Sequence, residues 1–124
     1  MDKWQWLDTF WSSFEWDAYD EKSVPDDTEF PYITYSAAVG DFEHPVSLTA
    51  SLWDRSSSWV AVSQKATEIS QAMLDARGTT YQIDGGRVRI WIGETPFAQR
   101  MGDDSDKLIR RIVINIMAEY LTAY

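Results

Sequence analysis

KLIRRIVINIMAEYL, residues 107–121, decides the fold class, because its apolar side chains fit both a strand and a helix. Apolar or small residues occupy every second position from Ile112 to Tyr120, which is the period of a strand with one buried face. Every fourth residue from Leu108 onward is also apolar, which is typical of a helix. The centre, Ile-Val-Ile-Asn-Ile, is rich in β-branched side chains, which favour the pleated surface of a sheet. We therefore predict a long strand here.

Four further strands are predicted upstream, as two pairs. Residues 32–37 follow Pro31, which suits a strand start because it has no N–H donor. Residues 46–53 alternate apolar and polar side chains, as a half-buried strand does. Residues 79–83 and 87–92 flank an Asp-Gly-Gly sequence, which indicates a hairpin with a tight turn. Because neighbouring strands follow one another in the chain, we expect a mostly antiparallel sheet.

Two amphipathic helices are predicted. Residues 3–16 carry a stripe of Trp and other apolar side chains at helical spacing, and a second stripe runs from Trp59 to Met73. Ser57 or Ser58 is the expected N-cap of the second helix. Gly78 is expected to end that helix in a left-handed conformation.

Trp6 and Phe10 lie off the main stripe of the first helix, four residues apart. They either widen the face that packs on the core of the same chain, or they form a second stripe that packs on a neighbouring subunit. Trp is enriched at protein interfaces, so the pair is a candidate interface.

The predicted order of elements is α-β-β-α-β-β-β, with residues 17–30 and 93–106 as loops. This order predicts an α+β, two-layer domain in which both helices pack on one face of a mostly antiparallel sheet. A chain of 124 residues is expected to form one domain, residues 1–124.

The charge of the chain restricts its partners. The net charge is −9 and the isoelectric point is about 4.4. An acidic surface repels phosphate backbones and anionic lipids, so we expect neither direct nucleic-acid recognition nor membrane binding. No apolar run approaches the roughly 20 residues that a membrane-spanning helix needs.

Residues that could carry catalysis are sparse. The chain has no cysteine and a single histidine, His44, beside a proline at a strand entrance. Asp103, Asp104 and Asp106 resemble a calcium loop, but the required glycine and distant glutamate are missing, so a turn or a cap is expected. We therefore predict no catalytic, cofactor-binding or metal-binding residues, and we predict that the protein is not an enzyme.

The strand at residues 87–92 has an unusual second face. Val88, Ile90 and Ile92 should point into the core, so Arg87, Arg89 and Trp91 should point away from it. This face is either solvated or a contact surface for an acidic neighbour, since Arg and Trp are common anchors of interfaces.

The pattern of the whole chain resembles a known family. The segments concerned are VPDDTEFPYITYSAAVGDF, SLTASLWDRSSSWVAVSQKATEISQAM and DGGRVRIWIGETPFAQRMGDDSDKLIRRIVINIMAEYL. Together with the aromatic N-terminal helix they resemble small tail proteins of long-tailed bacteriophages, in particular the tail terminator, or tail completion, group.

The resemblance implies an α+β fold that assembles as a homo-oligomeric ring, typically a hexamer. Such a ring caps the tail tube, stops its elongation and contacts the head–tail connector or stopper protein. It implies a virion location in the tail or neck, after assembly in the host cytoplasm, and no catalytic residues or cofactors.

Two alternatives remain at this point. One is another neck, head-completion or minor tail protein, which would also form a ring. The other belongs to a different class: a monomeric acidic inhibitor or immunity-type protein whose charge steers it to a basic target.

Overall fold

The computed structural model describes residues 1–75, 79–93 and 95–122. These residues form two helices, α1 (Gln5–Ser12) and α2 (Val60–Asp75), and seven strands. The strands are β1 (Asp17–Asp20), β2 (Tyr32–Tyr35), β3 (Val46–Arg55), β4 (Thr79–Ile83), β5 (Gly86–Ile92), β6 (Ala98–Met101) and β7 (Ile109–Thr122). Neither of these helices combines the length and the apolar character needed to cross a membrane.

Most of the stretch 107–121 lies in the long strand β7, as predicted. Its alternate side chains from Ile112 to Tyr120 are buried. β7 pairs with β3 along one side, from Val46 opposite Ala118 to Arg55 opposite Ile109. Its other side is shared by β5 and β6. The fold therefore depends on this strand, because it joins both halves of the sheet.

The sheet has the strand order β1-β2-β3-β7-β5-β4, with β6 paired to β7 beside β5. All pairs are antiparallel except β1 with β2, which is parallel. The chain thus has a mixed α and β fold with a curled, mostly antiparallel sheet, in agreement with the predicted class.

The predicted order of elements is wrong in two places. β1 lies within the predicted loop 17–30, and β6 lies within the predicted loop 93–106. Their sequences, DAYD and AQRM, are short and carry no alternating apolar pattern. Both strands are defined by pairing with β2 or β7, which a local pattern does not reveal.

The hydrophobic core lies on one face of the sheet. Ile114, Ile116 and Ala118 of β7 are fully buried, and Leu48 of β3 and Ile90 of β5 lie beside them in register. The same cluster includes buried side chains of both helices. The predicted apolar stripes of the two helices are therefore core stripes, with one exception: Trp4 is 54% exposed.

The interpretation of Trp6 and Phe10 as an interface is wrong. Their exposed fractions are 0% and 3%, and both side chains belong to the core. The Trp6 indole Nε1 donates a hydrogen bond of 2.9 Å to the hydroxyl of Tyr120, and both rings contact Tyr81 of β4. The buried face of α1 is simply wider than a single stripe.

The start of α2 agrees with the predicted capping. The Ser58 hydroxyl accepts a hydrogen bond of 3.1 Å from the backbone N–H of Val60, the first residue of the helix. The predicted cap at Gly78 lies outside the described residues.

Candidate interaction surface

The sheet has a second face, here called the outer face, whose side chains alternate with those of the core. On β5 the predicted orientation is confirmed: Val88 and Ile90 are 0% exposed, whereas Arg87 and Arg89 are exposed. The outer face consists of Tyr32 and Thr34 on β2; Ser47, Thr49, Ser51 and Trp53 on β3; Arg87, Arg89 and Trp91 on β5; and Arg111, Val113, Asn115, Met117, Glu119 and Leu121 on β7.

Trp91 and Arg89 form a pair on this face. The Arg89 guanidinium lies 4.8 Å from the centre of the Trp91 ring, within the range of a cation–π interaction. Trp91 is opposite Met117 of β7 and is half-buried. The Arg89 side chain makes no hydrogen bond or salt bridge with a described residue, so the pair offers both apolar area and positive charge.

A second pair of this kind was not predicted from the sequence. The Arg111 guanidinium lies 4.6 Å from the Trp53 ring, and that ring stacks on Tyr32 with an interplanar angle of 17°. Tyr32 in turn contacts the rings of Tyr19 and Phe30. The result is a row of aromatic rings that crosses β1, β2 and β3 and ends at the arginine of β7.

Hydrogen bonds fix the second pair. The Trp53 indole Nε1 donates to the Thr34 hydroxyl at 2.9 Å, and Arg111 Nε donates to the Ser51 hydroxyl at 3.1 Å. Thr34 and Ser51 are themselves nearly buried, at 9% and 6% exposure. Rings and guanidinium are therefore held in place before any partner binds, which lowers the entropic cost of binding.

The alternation of side chains along β3 and β7 puts Trp53 and Arg111 on the non-core face of their own strands. It does not show that the two residues are neighbours. Trp53 pairs with Tyr32 on one side and with Arg111 on the other only in the observed register. Only the register of β3 with β2 and β7 would have revealed the row. β3 and β7 are far apart in the chain, so no short turn between them fixes that register.

Of the five residues predicted to form an interface, three lie together on the outer face and two do not. Arg87, Arg89 and Trp91 are successive outer residues of β5. Trp6 and Phe10 lie on the core side and contribute nothing to this surface. Whether the outer face contacts a partner remains a prediction.

The remaining polar candidates have structural partners. The Asp103 carboxylate accepts hydrogen bonds from the hydroxyl and backbone N–H of Ser105, which lower the pKa of its carboxyl group below the usual range. Asp106 pairs with Arg55 at 2.9 Å, and the hydrogen bond from that guanidinium lowers its pKa in the same way. These aspartates form the expected turn between β6 and β7.

His44 lies in an isolated bridge with Asp41 and is exposed. Within the described ranges, no group of three or more His, Asp or Glu side chains is arranged to hold a metal ion. The outer face thus brings together aromatic rings and guanidinium groups, which supply apolar area and positive charge.

No family model, curated protein or solved structure matches the chain. An assignment of function therefore depends on the residues themselves and on the resemblance of the sequence pattern.

Proposed function

We propose that this chain is a structural virion protein of a long-tailed bacteriophage that acts as a tail terminator. Copies of the chain form a homo-oligomeric ring, a hexamer, that caps the tail tube and stops its elongation. The ring then presents a surface to the connector or stopper protein of the head. In this role the protein is not an enzyme and binds neither nucleic acid nor a membrane directly.

The observation that carries the proposal is the outer face with its two arginine–tryptophan pairs. Arginine and tryptophan are the residues that most often supply binding energy at protein interfaces. The pairs Arg89–Trp91 and Arg111–Trp53 lie on one face of the same sheet and are absent from the core cluster. A protein that has to join copies of itself needs such a face.

We also propose that both helices pack on the same side of the sheet and leave the outer face free. Supporting contacts are found between α2 and the core side of β6. The Arg100 guanidinium lies 4.9 Å from the Trp59 ring and 3.5 Å from the Ser63 hydroxyl. Side chains of α1 belong to the same core cluster. Contacts in the ring would then be heterologous and close by rotation.

The location follows from this role. The ring would occupy the tail or neck of the virion after assembly in the host cytoplasm. Its partners would be further copies of the chain, the tail tube protein and the connector or stopper protein.

Substitution of Trp91 by alanine tests the role of the outer face. We expect Trp91→Ala to weaken self-association, because truncation of an anchoring tryptophan often costs about 2 kcal/mol or more. Phe42→Ala is the matched control, since Phe42 is 57% exposed and lies in the connection between β2 and β3. Sedimentation gives the assembly state, and circular dichroism checks that each variant is folded.

The opposite results would reject the proposal. If Trp91→Ala and Phe42→Ala both assemble like the parent, the outer face is only solvated. If the parent remains a 14.3 kDa monomer at millimolar concentration, with and without tail tubes, the ring itself is rejected. Electron microscopy of the protein mixed with tail tubes separates a terminator at the tube end from another neck or minor tail protein.

One observation favours a second candidate function. The net charge of −9 suits a monomeric acidic inhibitor or immunity-type protein that covers a basic target, because complementary charge speeds association. Measurement of the mass distinguishes the two functions, since an inhibitor stays a monomer until its target is added.

A further inference from the structure

The basic part of the outer face lies at one edge of the sheet. β4 and β5 form a hairpin, here called the basic hairpin, whose outer residues include Arg87 and Arg89. Its one acidic residue, Asp84, lies in the turn, 3.6 Å from the N-terminal amino group. Within the described part of the chain, no carboxylate lies within salt-bridge distance of Arg87 or Arg89.

The lack of a charged partner is clearer for Arg87 than for Arg89. Its neighbours across the sheet are Gln82 of β4 and Leu121 of β7, neither of which carries a charge. Among the described residues it makes no hydrogen bond and no ring contact, and it is exposed. Among the described residues, the positive charge of Arg87 therefore has no carboxylate paired with it.

β4 also forms an edge of the sheet. Its sequence, TTYQI, has no charged residue and no proline, the two features that natural edge strands commonly use to prevent pairing with another chain. The backbone hydrogen bonds described for β4 are those to β5. Among the described residues this edge has no second partner strand, and positive charge lies beside it.

The opposite edge of the same sheet is acidic. Residues 17–29, here called the acidic segment, contain β1 and the connection to β2. The segment has one lysine and six carboxylates, Asp17, Asp20, Glu21, Asp26, Asp27 and Glu29. Most of these side chains are exposed, and none forms a salt bridge with a described residue.

The two edges are not joined by a salt bridge among the described residues. Five strand spacings separate β1 from β4 along the curled sheet.

We propose that the basic hairpin of one copy binds the acidic segment of the next copy. The proposal rests on the proposed ring and names the contact that joins its subunits. A second copy is the occupant because it supplies the complementary charge. Because the two surfaces lie at opposite edges of one sheet, the contact is heterologous and repeats from copy to copy, as a closed ring requires.

Charge reversal at each edge tests the pairing. The variant at the hairpin is Arg87→Glu, and its control with the same charge change is Lys107→Glu, at an exposed position before β7. The variant of the acidic segment is Asp17→Lys with Glu29→Lys. Its control is Asp41→Lys with Asp104→Lys, two exposed positions elsewhere. Assembly is measured by analytical ultracentrifugation across protein and salt concentrations.

We expect each edge variant to weaken assembly by at least about tenfold, because like charges brought together at an interface repel. The controls should assemble like the parent. An equimolar mixture of the two edge variants should recover assembly, since each variant retains one native edge and the reversed edges are complementary to each other. The recovered species should contain both variants in equal amounts.

The outcomes separate this proposal from the ring itself. If the parent assembles and an edge variant matches its control, or if the mixture does not recover, the ring stands and the pairing of edges is refuted. If the parent stays monomeric at millimolar concentration, with and without tail tubes, both the ring and the pairing are refuted.

Discussion

Substitution of Tyr120 by phenylalanine tests the assignment of Trp6 to the core. The Tyr120 hydroxyl accepts a hydrogen bond of 2.9 Å from the Trp6 indole and donates one of 3.0 Å to the carbonyl of Ala38. Both side chains are 0% exposed. Removal of one oxygen atom therefore leaves a buried N–H and a carbonyl without their shared partner, while the ring still fills its place.

The expected loss of stability follows from these two bonds. A buried donor without a partner costs about 1–3 kcal/mol, and the lost bond to the carbonyl adds about 1 kcal/mol. The sum, about 2–4 kcal/mol, is a large part of the roughly 5–15 kcal/mol that stabilises a typical domain. With a denaturant slope of about 2 kcal/mol per molar urea, the midpoint should fall by about 1–2 M.

Urea unfolding of Tyr120→Phe is compared with that of Tyr19→Phe. The Tyr19 hydroxyl makes no hydrogen bond with a described residue, and its ring is half-buried. The control should therefore change stability by no more than about 0.5 kcal/mol. A double-mutant cycle with Trp6→Phe should give a coupling of about 1 kcal/mol. If Tyr120→Phe behaves like the control, Trp6 is not anchored in the core and its role in an interface has to be reconsidered.

Two further predictions concern the turns. The lowered pKa of Asp103 means that its charged form stabilises the folded state, so this contribution is present at neutral pH and is lost as the pH falls below about 4. Asp103→Asn should weaken the acid dependence of urea unfolding, because an amide cannot be protonated in this range, and an unchanged dependence would contradict the hydrogen bonds from Ser105. Gly86→Ala should destabilise the protein, because an added Cβ would lie 2.0 Å from the carbonyl oxygen of Leu121. Gly102→Ala is its control, since its Cβ would meet no atom within 4 Å; equal thermal midpoints for the two variants would contradict the close packing of β5 on β7.

The sequence predicts those parts of the fold in which side-chain pattern and burial agree. β7 was identified because its buried residues alternate, and α2 because its stripe has helical spacing. β1 and β6 were missed, since a four-residue segment without an alternating apolar pattern is recognised as a strand only by its pairing with another strand.

The candidate site was predicted only where it lies on a single strand. Alternation along β5 is enough to place Arg87, Arg89 and Trp91 on one face. The row that joins Trp53 to Arg111 needs the register between strands far apart in sequence, and no local pattern contains it. Trp6 was misjudged because a helix with a wide buried face and a helix with two separate faces have similar sequences.

The place of β7 in the sheet has a consequence for folding. Val46 pairs with Ala118, about 70 residues further along the chain, and proteins with such distant contacts fold slowly because a long loop has to close first. Until β7 arrives, β3 and β5 each have an unpaired edge rich in apolar side chains. Nascent copies at high local concentration could join through these edges in the wrong order. In the proposed ring, each copy would therefore have to complete its own sheet before it meets its neighbours.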